Sequence, residues 1–580
     1  MARPHPALSR PPALRRRPRM EAPAVRDQPN WNSQGSKPTR FRETNFILAA
    51  KGVALATGFA PTPMNAVRAK PASGRLYWPL TMSQLLRTKD IDALVGETEV
   101  EGKRLKRSLG PWSLMAFGIG AVIGSGIFTV TGTAAAGENG APSILKAPLL
   151  DLILHGSAAT SITGRPGAGP GLTISFILVA ITCGFAALCY AELASMMPIA
   201  GSAYTYAYAT LGEIFAWIIG WDLILEYAVS NMSVAVGFSA YFNVACDYLF
   251  GAHLPKYLSE PAFVEFQPTG SIFNVPAFLI VMLLSWLLVR GVKESAGANN
   301  VMVAIKVVAI LLFVFGAAHA VSSSNLHPFL PNGFPGVLSG AAIVFFTFIG
   351  FDSVSTAAEE CRNPQRNMPI GIIGTLVACA VLYTAVALVL TGIVNWKTLG
   401  NAAPVANALA AIGMHKLRFT VTVGALLGML SSLLVYQYGQ ARIWFAMSRD
   451  RLLPDLFSRV HRKYRTPHVS TWIAGLAVGI PAGIGDIGSF ADLSNIGTLF
   501  AFVVVSVGVV MLRRAQPDRT RSFRVPFAPV TPIISVVCCF GLMLGLPLET
   551  WIRFILWLLI GLVIYFAYSR RRSLLRVRLP

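Results

Sequence analysis

Three ionisable residues, Glu226, Lys306 and Asp352, each sit inside a long apolar stretch, and a fourth such stretch holds the glycine-rich run Gly118 to Phe128, GIGAVIGSGIF. A charged side chain at the centre of a membrane helix costs at least about 2.5 to 3.5 kcal/mol, so such residues face a cavity or a partner and mark function by default. The glycine run is a different signal. Each Gly disfavours helix by about 1 kcal/mol relative to Ala, so a break is expected around Gly124, Ser125 and Gly126. A break frees N–H and C=O groups, which are tolerated at membrane depth only where they line a cavity or where a ligand replaces their hydrogen bonds. The alternative is that these glycines serve close helix packing. Nucleotide binding is disfavoured, because Gly118, Gly120 and Gly124 miss the GxGxxG spacing and no βαβ pattern surrounds them.

A matching anomaly lies at Phe348 to Ser353, where Gly350 and Asp352 interrupt an apolar run. Freed N–H groups at the start of a half-helix attract a carboxylate, and freed carbonyls attract a cation. Two facing breaks therefore suit a zwitterion. The expected ligand is an α-amino acid, its carboxylate near Ser125 and Gly126 and its amine near Ile123 and the carbonyls of Phe346 to Ile349. Lys306 lies too far from either end of its stretch to snorkel. Burial favours a neutral amine, so such a Lys can cycle its charge with a transport step; the alternative is a static Lys bonded to carbonyls of the broken helix. Glu226 pairs either with a cationic substrate side chain or with polar groups of neighbouring helices. Asp222, on the same helix face one turn earlier, is either interior or near the membrane surface.

The elements that must position these residues follow from composition. The 580 residues are 54% hydrophobic and only 13% charged, with a mean hydropathy of +0.57, against roughly 25% charged in soluble domains. So few charges cannot cover several water-facing surfaces, and one large membrane body is expected. The net charge of +22 does not point to nucleic acid, because the basic residues lie in the tails and between apolar runs, where they orient a membrane protein. The seven cysteines form no CxxC pair and the histidines match no zinc spacing, so neither a metal nor a cofactor is expected.

Twelve stretches meet the requirement for about 17 to 25 mostly apolar residues: Pro111 to Ala136, Leu172 to Met197, Leu211 to Phe250, Ile272 to Val289, Ala296 to Val321, Gly336 to Ala358, Ile370 to Val394, Val421 to Ala446, Thr471 to Ile484, Ser489 to Leu512, Val530 to Pro547 and Trp551 to Ser569. Lys and Arg crowd alternate connections, which predicts a multi-pass protein of the cell membrane with both termini cytoplasmic. The chain divides into a basic tail, 1–81, carrying an apolar run too short to span and reading as disordered or as a start called before Met82; a cytoplasmic segment, 82–110; the first seven spans, 111–394; and the last five with a basic tail, 395–580. Glu138 to Gly171 reads as an external loop, Tyr204, Tyr206 and Tyr208 as interfacial packing, and Arg442 to Arg465 as a membrane-surface helix. Asn231-Met232-Ser233 matches a glycosylation pattern but lies within a span.

The breaks fall in the first and sixth spans, five apart, as two inverted five-helix halves require. With these residues the sequence resembles the amino acid-polyamine-organocation superfamily and, within it, the cationic amino acid transporter family, from about Met82 to the C-terminus. The resemblance is carried by GIGAVIGSGIF, by CYAE from Cys189 with PIAGSAYTYAY from Pro198, by WDLILEY from Trp221, by NNVMVAIK from Asn299, by GFDSVSTAAEE from Gly350, by NPQRNMP from Asn363 and by IGTLFAF from Ile496. It implies an all-α five-plus-five inverted-repeat fold with two added C-terminal helices and alternating access. It also implies carboxylate binding at Gly124, Ser125 and Gly126, amine binding at the carbonyls of Val122, Ile123, Phe346, Thr347 and Ile349, proton coupling at Lys306, and Glu226 near the side-chain end of the pocket. The external insertion departs from shorter relatives. The function expected is secondary active import of cationic or small neutral L-amino acids by proton symport, with lipid as the surrounding partner. An exchanger of amino acids or polyamines and a non-transporting amino acid sensor are the alternatives; the absence of a Walker motif argues against ATP-driven transport, and no catalytic motif points to an enzyme.

Overall fold

Backbone groups in hydrocarbon must bond within their own segment, so long apolar runs resolve as helices. The computed structural model describes residues 86–99, 107–138, 143–156, 164–199, 201–264, 267–291, 296–464 and 466–573; the basic tail and the proposed start at Met82 lie outside them. Among the described residues, eight helices are long and apolar enough to cross a membrane, a bent pair (Pro111–Val122 and Gly126–Ala136) makes a ninth crossing, and three shorter apolar helices are Val275–Val289, His468–Ile484 and Val530–Leu544. The others are Leu172–Met196, Glu213–Phe250, Ala296–Ala317, Gly333–Val344 with its 3-10 continuation to Glu360, Pro364–Ile393, His415–Arg449, Ile487–Ala515 and Leu548–Ile564. They fall in order on the twelve expected stretches. The third is one helix of 38 residues, closed by Gly251 in the left-handed conformation at φ +61°, where Gly carries no Cβ penalty.

The packing repeats with a shift of five. The second span lies along the seventh, the third along the eighth and the fourth along the ninth. Contact of the first with the seventh is mirrored by the second with the sixth, and that of the fifth with the eighth by the tenth with the third. Five is an odd number of crossings, so the two halves run in opposite directions, which makes the repeat inverted. The eleventh span packs on the tenth and second, and the twelfth on the tenth and third.

The structure adds detail to four of these readings. Tyr204, Tyr206 and Tyr208 lie on Ser202–Thr210, a helix buried within the protein from Ser202 to Ala209. Two of their hydroxyls find protein partners, Tyr204 donating to Asp450 at 2.6 Å and Tyr208 to Glu213 at 3.1 Å. Arg442 to Arg449 is no separate surface helix but the end of the eighth span, where the Arg442 guanidinium stacks on Tyr438 at 3.9 Å. Asp222 is fully enclosed by the protein. Finally, the Gly- and Pro-rich connection carries a helix, Leu149–His155, and its last residues are mostly buried.

The tenth span is anchored at its arginine-rich end by a buried carboxylate on the second. Glu192, 1% exposed, accepts from Arg513 at 2.5 and 3.0 Å and from the Val525 N–H at 2.7 Å. Removing one partner of a buried pair costs about 3 to 5 kcal/mol; part of Arg513 is exposed, so the lower figure applies. Glu192→Ala is expected to lose about 3 kcal/mol, read as a lower melting temperature of the purified protein in detergent.

Candidate functional site

The first break begins where Ile123 leaves the helical region, at φ −78° and ψ +87°, and the two half-helices then diverge by 45°. The Gly124 N–H turns back to the Val122 carbonyl at 2.9 Å. Beyond the break Gly126–Val130 forms a π-turn, a local rewinding often found at functional sites. Ser125 stands at the start of this second half, fully buried, and its hydroxyl has no hydrogen-bond partner. A buried hydroxyl without a partner is costly.

The sixth span changes from α-helix to a 3-10 turn at Phe345–Phe348, opens at Ile349 with ψ +132°, reverses at Gly350 with φ +115°, and resumes as a 3-10 helix at Phe351–Glu360. Such a φ is natural only for Gly. The two breaks lie against each other. A Cβ on Gly126 would stand 2.9 Å from Thr347 Cα, and a Cβ on Gly350 would stand 3.1 Å from the Ala121 carbonyl carbon. Close packing explains other glycines of the run: a Cβ on Gly118 would meet Thr375 Oγ1 at 2.3 Å. The run thus holds both a helix break and closely packed glycines, at different positions.

Lys306, fully buried, donates to the Gly120 carbonyl at 2.6 Å, the Ile123 carbonyl at 2.9 Å and Ser431 Oγ at 2.7 Å. Ser432 Oγ also reaches the Gly120 and Ile123 carbonyls, each at 3.2 Å. Tyr383 donates to the Val122 carbonyl at 3.1 Å, and Tyr436 to the Ile349 carbonyl at 3.2 Å. Tyr383 and the Gly124 N–H occupy both lone pairs of the Val122 carbonyl, whereas the Ile123 carbonyl is held by Lys306, the single Ser432 proton being shared among the Gly120, Ala121, Ile123 and Gly428 carbonyls.

Val122, Ile123, Gly124, Ser125, Gly126, Phe346, Thr347, Ile349 and Lys306 come together at this junction, every one buried. Glu226 and Asp352 form a neighbouring group. They lie within electrostatic reach of each other, of Tyr227 and of Tyr436, and Glu226 also of Asp222. Glu226 Oε2 and both Asp222 oxygens have no hydrogen-bond partner. Tyr436 joins the two groups, its hydroxyl on the sixth break and its ring edge-on to Tyr227 at 5.8 Å. The apolar residues flanking the breaks, Ile123, Phe346, Phe348 and Phe351, are each at most 5% exposed.

Sequence reasoning missed Ser431, Ser432 and Tyr436. The signal was present, as adjacent serines followed by a Tyr one turn on within a mostly apolar span. It also missed Arg165, whose guanidinium binds Glu138 at 2.6 and 2.9 Å and Asp492 at 2.7 and 2.9 Å. Burial pushes the Glu138 carboxyl up, but the charge and hydrogen bonds of Arg165 outweigh it and hold the carboxyl below its ordinary value.

Sequence comparison places this geometry among known proteins. The profile described as amino acid permease matches residues 109–565. The chain is 46% identical over 491 residues to the branched-chain amino acid permease BcaP of Bacillus subtilis (strain 168), covering 84% of this chain and 98% of the relative. It is 44% identical over 494 residues to the methylthioribose transporter of the same organism, covering 85% and 100%. It is 36% identical over 449 residues to the chloroplastic cationic amino acid transporter 9 of Arabidopsis thaliana, covering 76% and 73%.

Proposed function

The chain belongs to the amino acid permease family, and on that premise we propose that it is a secondary active carrier, and not an enzyme, that imports a cationic or small neutral L-amino acid by alternating access with proton symport. The observation that carries this reading is the unpartnered, fully buried Ser125 hydroxyl at the start of a half-helix. Together with the first-turn N–H groups it suits the substrate carboxylate. The carbonyls of Ile123, Phe346, Thr347 and Ile349 take the ammonium, the Val122 carbonyl being filled already by Tyr383 and the Gly124 N–H. The side chain then points along the apolar residues flanking the breaks toward Glu226. Proton coupling is assigned to Lys306, and both termini to the cytoplasmic face of the cell membrane.

Relatives with this frame are named for branched-chain amino acids, for methylthioribose and for cationic amino acids, so the side-chain end of the pocket sets the substrate. Exchange without a proton is a second reading, favoured by one observation: the three hydrogen bonds of Lys306 suit a static brace. The test is uptake of labelled leucine, alanine, arginine and methylthioribose into proteoliposomes, with and without an inward proton gradient. Gradient-driven accumulation of one amino acid into empty vesicles is expected. Uptake only into vesicles preloaded with amino acid would establish exchange, and uptake of methylthioribose alone would overturn the zwitterion site.

A further inference from the structure

We propose that Arg165, with Glu138 and Asp492, is the latch that closes the face of the carrier opposite its arginine-rich loops; this rests on the permease reading. The cluster joins three segments. Glu138 follows directly on the second half of the broken first span, Arg165 lies in the loop before the second span, and Asp492 lies near the start of the tenth. Arg165 engages both carboxylates bidentately, Nη2 and Nε to Glu138 and Nη1 and Nη2 to Asp492, and its side chain is 1% exposed. Such planar two-by-two contact is the most geometrically selective that a guanidinium makes.

The loop carrying Arg165 seals the same face. The Ala168 N–H donates to the Ala134 carbonyl at 2.9 Å, the Glu138 N–H to the Arg165 carbonyl at 2.9 Å, and Asn332, just before the sixth span, to the Gly167 carbonyl at 2.7 Å. Gly167 sits so close to the first span that a Cβ would stand 2.4 Å from the Ala135 carbonyl oxygen. Beneath it Ile127, Phe128, Val130 and Ala134 are all buried. A substrate reaching Ser125 from this face must therefore part the loop from the first, sixth and tenth spans, and the ion cluster is the bond across that seam.

The chemistry suits a latch. For a buried ion cluster the desolvation penalty offsets most of the Coulomb gain, so closed and hydrated-open forms lie near in free energy, as an element with two arrangements requires. Removing Arg165 upsets that balance by leaving two carboxylates dry and unpaired until the path opens and water reaches them, and removing the Asp492 charge cuts the ionic bonds that tie the loop to the tenth span.

The experiment places a reporter cysteine at Ala134, beneath the loop, and measures its labelling by a membrane-impermeant maleimide added from this face to proteoliposomes without substrate. Parallel samples without the reporter give the background of the natural cysteines. Arg165→Gln and Asp492→Asn are each expected to speed labelling at least about tenfold. A second reporter at Leu114, buried on the first half-helix toward the opposite face, is expected to be no more reactive than in the parent when labelled from its own side. Unchanged labelling at Ala134 overturns the latch, and so does faster labelling at both reporters, which would mean general loosening. Glu138→Gln, at the rim of the cluster, keeps the measurement if a more buried variant fails to insert. Because no substrate is present, a labelling shift in a chain that carries no amino acid would refute the permease reading and leave the latch. Transport with unchanged labelling would do the reverse.

Discussion

Gly126→Leu is expected to abolish amino acid binding, with a loss of at least about 100-fold in affinity, while the protein still inserts. The reason is contact between two backbones. A Cβ alone at this position would stand 2.9 Å from Thr347 Cα and 3.0 Å from its Cγ2, against an optimal carbon separation of about 3.5 to 4.0 Å. Main chain cannot swing away as a flexible side chain does, so Leu drives the two broken spans apart. Misplacing a binding constellation by about 1 Å can cost about 100-fold. Ser125→Pro acts differently: Ser125 has φ −67°, which proline's fixed φ accepts, so the damage comes from losing the hydroxyl and the N–H. It is also expected to abolish binding. Equilibrium binding of labelled substrate to monodisperse protein in detergent decides both, and unaltered affinity in either variant would remove the helix break from the site.

Lys306→Met should retain some binding but lose proton-driven accumulation, by at least about tenfold. Met is unbranched and neutral and fills similar space, and Ser432 still reaches the Gly120 and Ile123 carbonyls at 3.2 Å. The break therefore keeps part of its bracing while the charge disappears. If Lys306 only braces the break, binding and accumulation fall together, and the response to an imposed proton gradient survives in what transport remains. If it carries coupling, the gradient response goes first. The measurement is accumulation ratio against imposed pH difference, with binding measured on the same preparation.

Much of this was legible along the chain because the bilayer leaves few options. Twelve apolar stretches became the twelve expected helices, since no other local structure satisfies their backbone without water. The break near Gly124 was legible because glycine density opposes helix where a helix is otherwise compulsory. The position of the second break was read less sharply: the structure opens the span at Ile349 and Gly350, while the sequence marked the whole stretch to Ser353 through its carboxylate.

Sequence by itself thus determined the helical membrane class, the span order, the two interrupted helices five apart and the intramembrane ionisable residues, all of which follow from local composition against a uniform apolar solvent. Only the tertiary structure decided what those residues touch. Gly120 and Ile123 meet Lys306 across 186 and 183 residues of chain, and Arg165 meets Asp492 across 327; no local pattern encodes such partners, because hydropathy is blind to which helix lies alongside. Burial of the three tyrosines at Tyr204 to Tyr208, the Tyr436 link between the two polar groups and the sealed loop at Arg165 likewise arise from packing. They depend on side-chain directions set jointly by several helices, and a single stretch of sequence specifies only its own.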